Sequence, residues 1–216
     1  MPSLRLVTLG VGALASPRYA PAGLLVEHGR ARVMIDGGPG AVPPGPLAAW
    51  LVTDERGELM PRIRELARAK GLTPRAGPFR ADGLGIEPKP VVHTNHPTFG
   101  YLIRAGPLRV VWAPEFFEFP AWAAGSTLMF AEAAGWNRPI RFRGGVGGHL
   151  DALAVAEAAR RHRVRRLVFA HIGRPTLRAM DRGEKPPFGE FGADGRRYVL
   201  TPTARSGSGA RLDRGK

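Results

Sequence analysis

The 216-residue chain contains no cysteine. Disulfides, thiolate metal sites and a thiol nucleophile are thereby excluded, so any metal must rest on histidine, aspartate or glutamate. Long apolar runs are also missing, since no stretch reaches the ~20 residues of a membrane-spanning helix. The N-terminus enters a strand-like run without the charged region, apolar core and cleavage site of a secretory leader. These absences predict a cytoplasmic protein with no membrane partner. The glycine-rich "GGVGG" before His149 is not a nucleotide fingerprint, because it lacks both the G-x-x-x-x-G-K-[ST] pattern and a suitably spaced acidic residue. There is no repeat of solenoid period.

Acidic residues are few. Thirty-two Lys+Arg against 18 Asp+Glu give a net charge of +14, and arginine far outnumbers lysine. Such a surplus favours weak, nonspecific association with nucleic acid. No nucleic-acid-binding signature with interleaved aromatics accompanies it. The densest basic run, "ARRHRVRRL" at 159 to 167, spans a helix end and a strand start, where cations also complement the helix dipole.

What is present is a core-forming pattern, with 44% hydrophobic residues. "LRLVTLGVG" (4 to 12) reads as a strand and "GLLVEHGRARVMIDGG" (23 to 38) as a hairpin turning at His28 to Arg30. "LAAWLVT" (47 to 53) is a further short apolar run. Pro61 opens a helix to about Lys70, with Ile63, Leu66 and Ala67 on one face and Gly71 just past its end. A hairpin over 98 to 114, a strand over 126 to 133, a helix in "HLDALAVAEAARRHRV", the strand "RRLVFAH" and a last strand "RRYVL" follow. The stretches 72 to 86 and 174 to 195 read as loop. The polar, basic segment 202 to 216 reads as a disordered tail. His28 and His162 read as solvent-facing.

The order of "LVTLGVG", "VMIDGGPG", a histidine ahead of "TFGYLI", "VVWAPE" and "GGHLDALAVAEAARRHRVRRLVFAHIG" resembles the metallo-β-lactamase superfamily, in the branch of the tRNA 3′-end-processing endonuclease and related phosphodiesterases. The resemblance runs from about residue 4 to 200. It implies an α/β fold, a four-layer αββα metallo-β-lactamase-type sandwich formed as one domain over 1–201, with the active site along one edge of two facing sheets. It also exposes a departure. The family carries H-x-H-x-D-H after a strand like "LAAWLVT", whereas this chain has Asp54, Glu55, Arg56, Gly57, Glu58 and Leu59 there.

The resemblance implies that His96, Glu115, His171 and Glu58 are metal ligands, that His149 and Asp54 are catalytic, and that Asp36 is a buried structural carboxylate. His93 is expected to point away from the site. Arg56 is expected at the substrate, with Phe116 and Phe117 as a wall of the pocket. Two outcomes follow from so altered a shell. The oxygen-rich set can hold a single divalent ion (Mn, Fe or Zn) and hydrolyse a phosphodiester or another small ester. Alternatively, Arg56 replaces the metal charge by pairing with Glu115 or Glu58, leaving a non-catalytic module for an anionic ligand.

Overall fold

The computed structural model describes residues 2–202; beyond its first residue, the tail expected at 202 to 216 lies outside them. In chain order the strands begin with β1 (Leu4–Gly10), β2 (Gly23–His28), β3 (Ala31–Asp36) and β4 (Ala49–Leu51), followed by helix α1 (Met60–Arg68). Strands β5 (Phe79–Ala81), β6 (Leu84–Val91), β7 (Thr98–Ala105), β8 (Leu108–Ala113) and β9 (Leu128–Ala133) come next. A two-residue pair, β10 (Ile140–Arg141) and β11 (Gly148–His149), leads to helix α2 (Ala152–Arg161). Strand β12 (Leu167–Ile172), helix α3 (Arg174–Asp181), β13 (Glu190–Phe191) and β14 (Arg196–Leu200) complete the chain.

Alternation dictates which faces meet. Leu4, Leu6 and Thr8 of β1 are fully buried while Arg5 between them is exposed, as the two-residue period of a strand requires. The strands form a five-stranded sheet in the order β14-β1-β2-β3-β4 and a seven-stranded sheet in the order β13-β12-β9-β8-β7-β6-β5. The main core lies between them and extends under α2. A second, smaller core forms where Met60, Ile63 and Ala67 of α1 meet Met34, Trp50 and Val52. The helices therefore cover outer faces and the sheets face one another, giving the four-layer αββα sandwich.

Four elements, β5, β6, α3 and β13, fall wholly or partly where the sequence reads as loop. β5 and the start of β6 do so, and β6 continues through Pro88 and Pro90. These prolines pair with Tyr101 and Phe99 of β7, while β5 covers β6 only from Leu84 to Ile86. Lying two residues apart, they turn their missing N–H groups to the same, uncovered edge, where no ladder bond is lost. Helix α3 also occupies expected loop. Pro175 stands in its first turn, where a missing N–H costs nothing. His28 is buried and its Nδ1 lies 3.3 Å from the Ser3 carbonyl, while His162 stacks on Phe119.

Two side chains pin the sheets together beside the site. Trp112 of β8 donates from Nε1 to Asp36 Oδ2 at 2.7 Å, and Tyr101 of β7 donates to the Val52 carbonyl at 2.9 Å. Asp36 Oδ1 accepts from the backbone N–H and hydroxyl of Thr53 at 2.7 and 3.0 Å. Burial pushes the Asp36 carboxyl up to about 7 despite the bonds from Trp112 and Thr53. Trp112→Phe keeps the ring but strands Oδ2 without its donor. It is expected to lower unfolding free energy by ~1–3 kcal/mol, measured by denaturant titration, whereas an unchanged midpoint would remove this pin from the fold.

Candidate active site

The carboxyl end of β9 carries Glu132, whose side chain is fully buried. Four donors saturate it: the backbone N–H groups of Phe116 (3.2 Å) and Ala134 (2.8 Å), His149 Nδ1 (2.8 Å) and His171 Nδ1 (3.2 Å). A carboxylate can only accept, so both imidazoles donate from Nδ1 and are left with Nε2 free for other partners.

His171 turns its Nε2 to Glu115 Oε1 at 2.8 Å, and His93 places Nε2 3.4 Å from the other oxygen, Oε2. His93 is anchored in the same manner, with Nδ1 donating to the Gly148 carbonyl at 2.9 Å. Glu115, two residues past β8, thus lies between two imidazoles whose remote nitrogens are both tied down. The glycines before His149 permit this approach. A Cβ on Gly147 would lie 2.1 Å from the His93 carbonyl oxygen, and one on Gly148 would lie 1.9 Å from that of Ile140. Both have φ between +140° and +149°, which side chains other than glycine rarely accept.

His93, Glu115, His149 and His171 line one cleft of about 480 Å³ between the sheet edges, with Glu132 buried behind them. On its wall stands a second pair, with His96 Nε2 2.9 and 3.0 Å from the two oxygens of Asp54. Asp54 Oδ1 also accepts from the Arg56 backbone N–H at 2.7 Å.

No family model matches the sequence, and no curated protein matches it. Among solved structures it is similar to the metallo-beta-lactamase fold protein YhfI from Bacillus subtilis, with TM-score 0.71 and 15% identity over 91% of this chain and 99% of that one. A diphosphatase from the PhnP family matches with TM-score 0.66 and 15% identity over 94% of this chain and 100% of that one. The short form of human tRNase Z matches with TM-score 0.64 and 13% identity, covering 92% and 100%. The fold is that of the metallo-β-lactamase superfamily.

Within this metallo-β-lactamase fold, His149, Glu115, His171, His96, Asp54, Glu58 and Arg56 all line the cleft. Their roles there diverge. His96 is engaged with Asp54, and the imidazole on Glu115 is His93, the reverse of the sequence expectation. His93 stands two residues past β6 and His96 two before β7; the His93 backbone packs closely on Gly147, and its Nδ1 is held by the Gly148 carbonyl. Among the described residues Arg56 makes no ion pair with Glu115 or Glu58, and its side chain is exposed. The positive charge facing Glu115 comes from histidine. Phe116 is fully buried in the main core and Phe117 lies under the Arg141 guanidinium at 4.7 Å; neither belongs to the cleft wall. His149 sits in β11, two residues before the helix N-cap Asp151, rather than at a helix start.

The residue missed from sequence is Glu132. Its signal was a lone acid in the apolar strand "LMFAEA", a placement that burial penalises unless donors await it. Glu132, His149 and His171 do offer ligand atoms within 4.8 Å of one another. Because Glu132 already accepts four bonds, it suits the role of orienting histidines better than that of a ligand.

Burial opposes charge on His171, but Glu115 and Glu132 on its two nitrogens raise its pKa to about 10. Burial likewise opposes charge on His93, but the bond to and charge of Glu115, with the Gly148 carbonyl and the Glu132 charge, together outweigh it, so its pKa is also raised. Glu115, against its own burial, is held well below the usual carboxylate range by His171 and His93. A group whose folded pKa exceeds its unfolded value of 6.5 stabilises fully below that value and loses its contribution as pH rises through the folded pKa. Metal-free protein is therefore expected to lose thermal stability steadily from pH 6.5 to 10, with His93 acting in the same direction. His171→Gln, which cannot titrate, should flatten most of that slope; an unchanged melting-temperature profile would contradict the assignment.

Proposed function

We propose that this chain is a metal-dependent hydrolase that cleaves a phosphodiester or other ester with a single divalent ion. The observation that carries this reading is the pair of anchored imidazoles, His93 and His171, presenting Nε2 to the two oxygens of Glu115. Such nitrogens facing a carboxylate need a cation between them, either protons or a metal. Two imidazoles and one carboxylate suit Zn, Fe or Mn, and their Nδ1 partners are the outer supports that ligating histidines use. When bound, the ion supplies Lewis acidity to the ester and to a water.

The remaining groups handle protons. His149, held through Nδ1 by Glu132, has Nε2 available to protonate the leaving oxygen as the bond to it breaks. The Asp54–His96 pair on the same wall receives the proton lost by the attacking water. Water adds, the ester bond breaks, and one proton leaves and one arrives. Similarity to a diphosphatase and to tRNase Z supports the phosphoester class. The alternative in which Arg56 stands in for the metal loses its support, because Glu115 is met by histidines instead.

Equilibrium dialysis with direct metal analysis is expected to find one ion per chain. Glu115→Ala should abolish it, and Arg56→His should not raise the affinity. His149→Ala should retain the ion yet slow hydrolysis of bis(p-nitrophenyl) phosphate by ~10²–10⁴-fold. Stoichiometric metal surviving Glu115→Ala would move the ligands elsewhere.

A further inference from the structure

Among the described residues five large apolar side chains are exposed: Leu14 (53%), Val92 (45%), Ile140 (37%), Val146 (40%) and Val199 (60%). Leu14 and Ile140 belong to the cleft wall. Val92 directly precedes His93, and Val146 directly precedes the glycines that close on the His93 carbonyl. Two of the five, Leu14 and Ile140, therefore stand on the wall of one cleft, and Val92 and Val146 adjoin its lining segments in the chain, while Val199 lies on edge strand β14 opposite Arg5. Single exposed aliphatics are ordinary, but a cluster rimming a concave site marks a contact surface. Inside the rim, Phe142 turns its ring edgewise to His93 and His149, at centroid distances of 5.4 and 5.3 Å.

Positive charge is placed beside this rim. Arg56 and Arg174 line the cleft and are exposed. Neither has a carboxylate partner among the described residues, whereas Arg18, Arg32, Arg62 and Arg166 each do. Unpaired guanidinium groups at a pocket wall favour an anion. A nucleic-acid strand would use the arginines but would gain little from exposed aliphatic side chains, so the apolar rim decides between the two.

Resting on the hydrolytic reading above, we propose that the cleft selects an anionic ester bearing an apolar alkyl or aryl substituent. Arg56 and Arg174 meet the anionic group, and the substituent lies along Leu14, Ile140, Phe142 and Val146.

The test is calorimetric titration of metal-free protein with monoalkyl phosphates from ethyl to octyl, each below its aggregation concentration. Affinity is expected to rise about two- to fourfold per added methylene until the rim is covered, the upper figure being full burial of one CH₂. Leu14→Ser with Ile140→Ser should flatten that dependence, and Val199→Ser should leave it intact. Arg56→Gln with Arg174→Gln should weaken every member by a similar factor. Vesicles of phosphatidylcholine with phosphatidic acid separate the sources: a chain-length slope with vesicle binding places the ester in a bilayer, and a slope without it places the ester in solution. Affinity independent of chain length, no binding by any member, or tighter binding of single-stranded RNA that ignores the Leu14 and Ile140 changes would overturn the proposal. A failure to hold metal would defeat the hydrolytic reading without altering this slope, so the two are distinguished.

Discussion

The site depends on one buried carboxylate. Glu132 binds three other segments to the end of its own strand: the turn after β8 through Phe116, β11 through His149 and β12 through His171, with a fourth bond from Ala134 just past β9. A carboxylate without donors at this depth would cost on the order of several kcal/mol, a cost the four bonds offset. The four bonds then fix the ring orientations of two histidines, which in turn fixes where their second nitrogens face.

From that anchor the chemistry follows outward. His171 carries the constraint to Glu115, and Glu115 passes it to His93, whose own anchor is the Gly148 carbonyl. Backbone conformation matches: His171 and Asp36 both adopt φ near +55°, uncommon for side-chain-bearing residues and held only where surrounding bonds impose it. Asp36, tied to Trp112 and Thr53, keeps the facing sheet edges at a set separation. The cleft is thus a consequence of polar bonds across an apolar sandwich.

The Asp54–His96 pair gives the site its particular character. In this chain Asp54 and the residues from Arg56 to Leu59 line the cleft without offering a histidine, and Asp54 is met by the His96 imidazole. With Asp54 and His96 engaged with one another, Glu115 and its two histidines form the other polar cluster of the wall.

Much of this was legible without coordinates. Several strands and the Pro61 helix could be read from period and turn chemistry, which are local properties. The sandwich, and the place of Glu115, His149 and His171 in one cleft, came from the resemblance carried by the order of the motifs. The choice between His93 and His96 was not legible, because both stand in one short turn and the decision comes from Gly147 and Gly148, some fifty residues later, touching the His93 backbone. Nor was Glu132, an acid in an apolar strand, three of whose four donors come from elsewhere in the chain. Sequence brought Asp54, Arg56, Glu58, His96, Glu115, His149 and His171 to the cleft; tertiary structure decided that His93 joins them, that Phe116 and Phe117 do not, and which groups face each other, because the partners of a buried polar group are set by what packs around it.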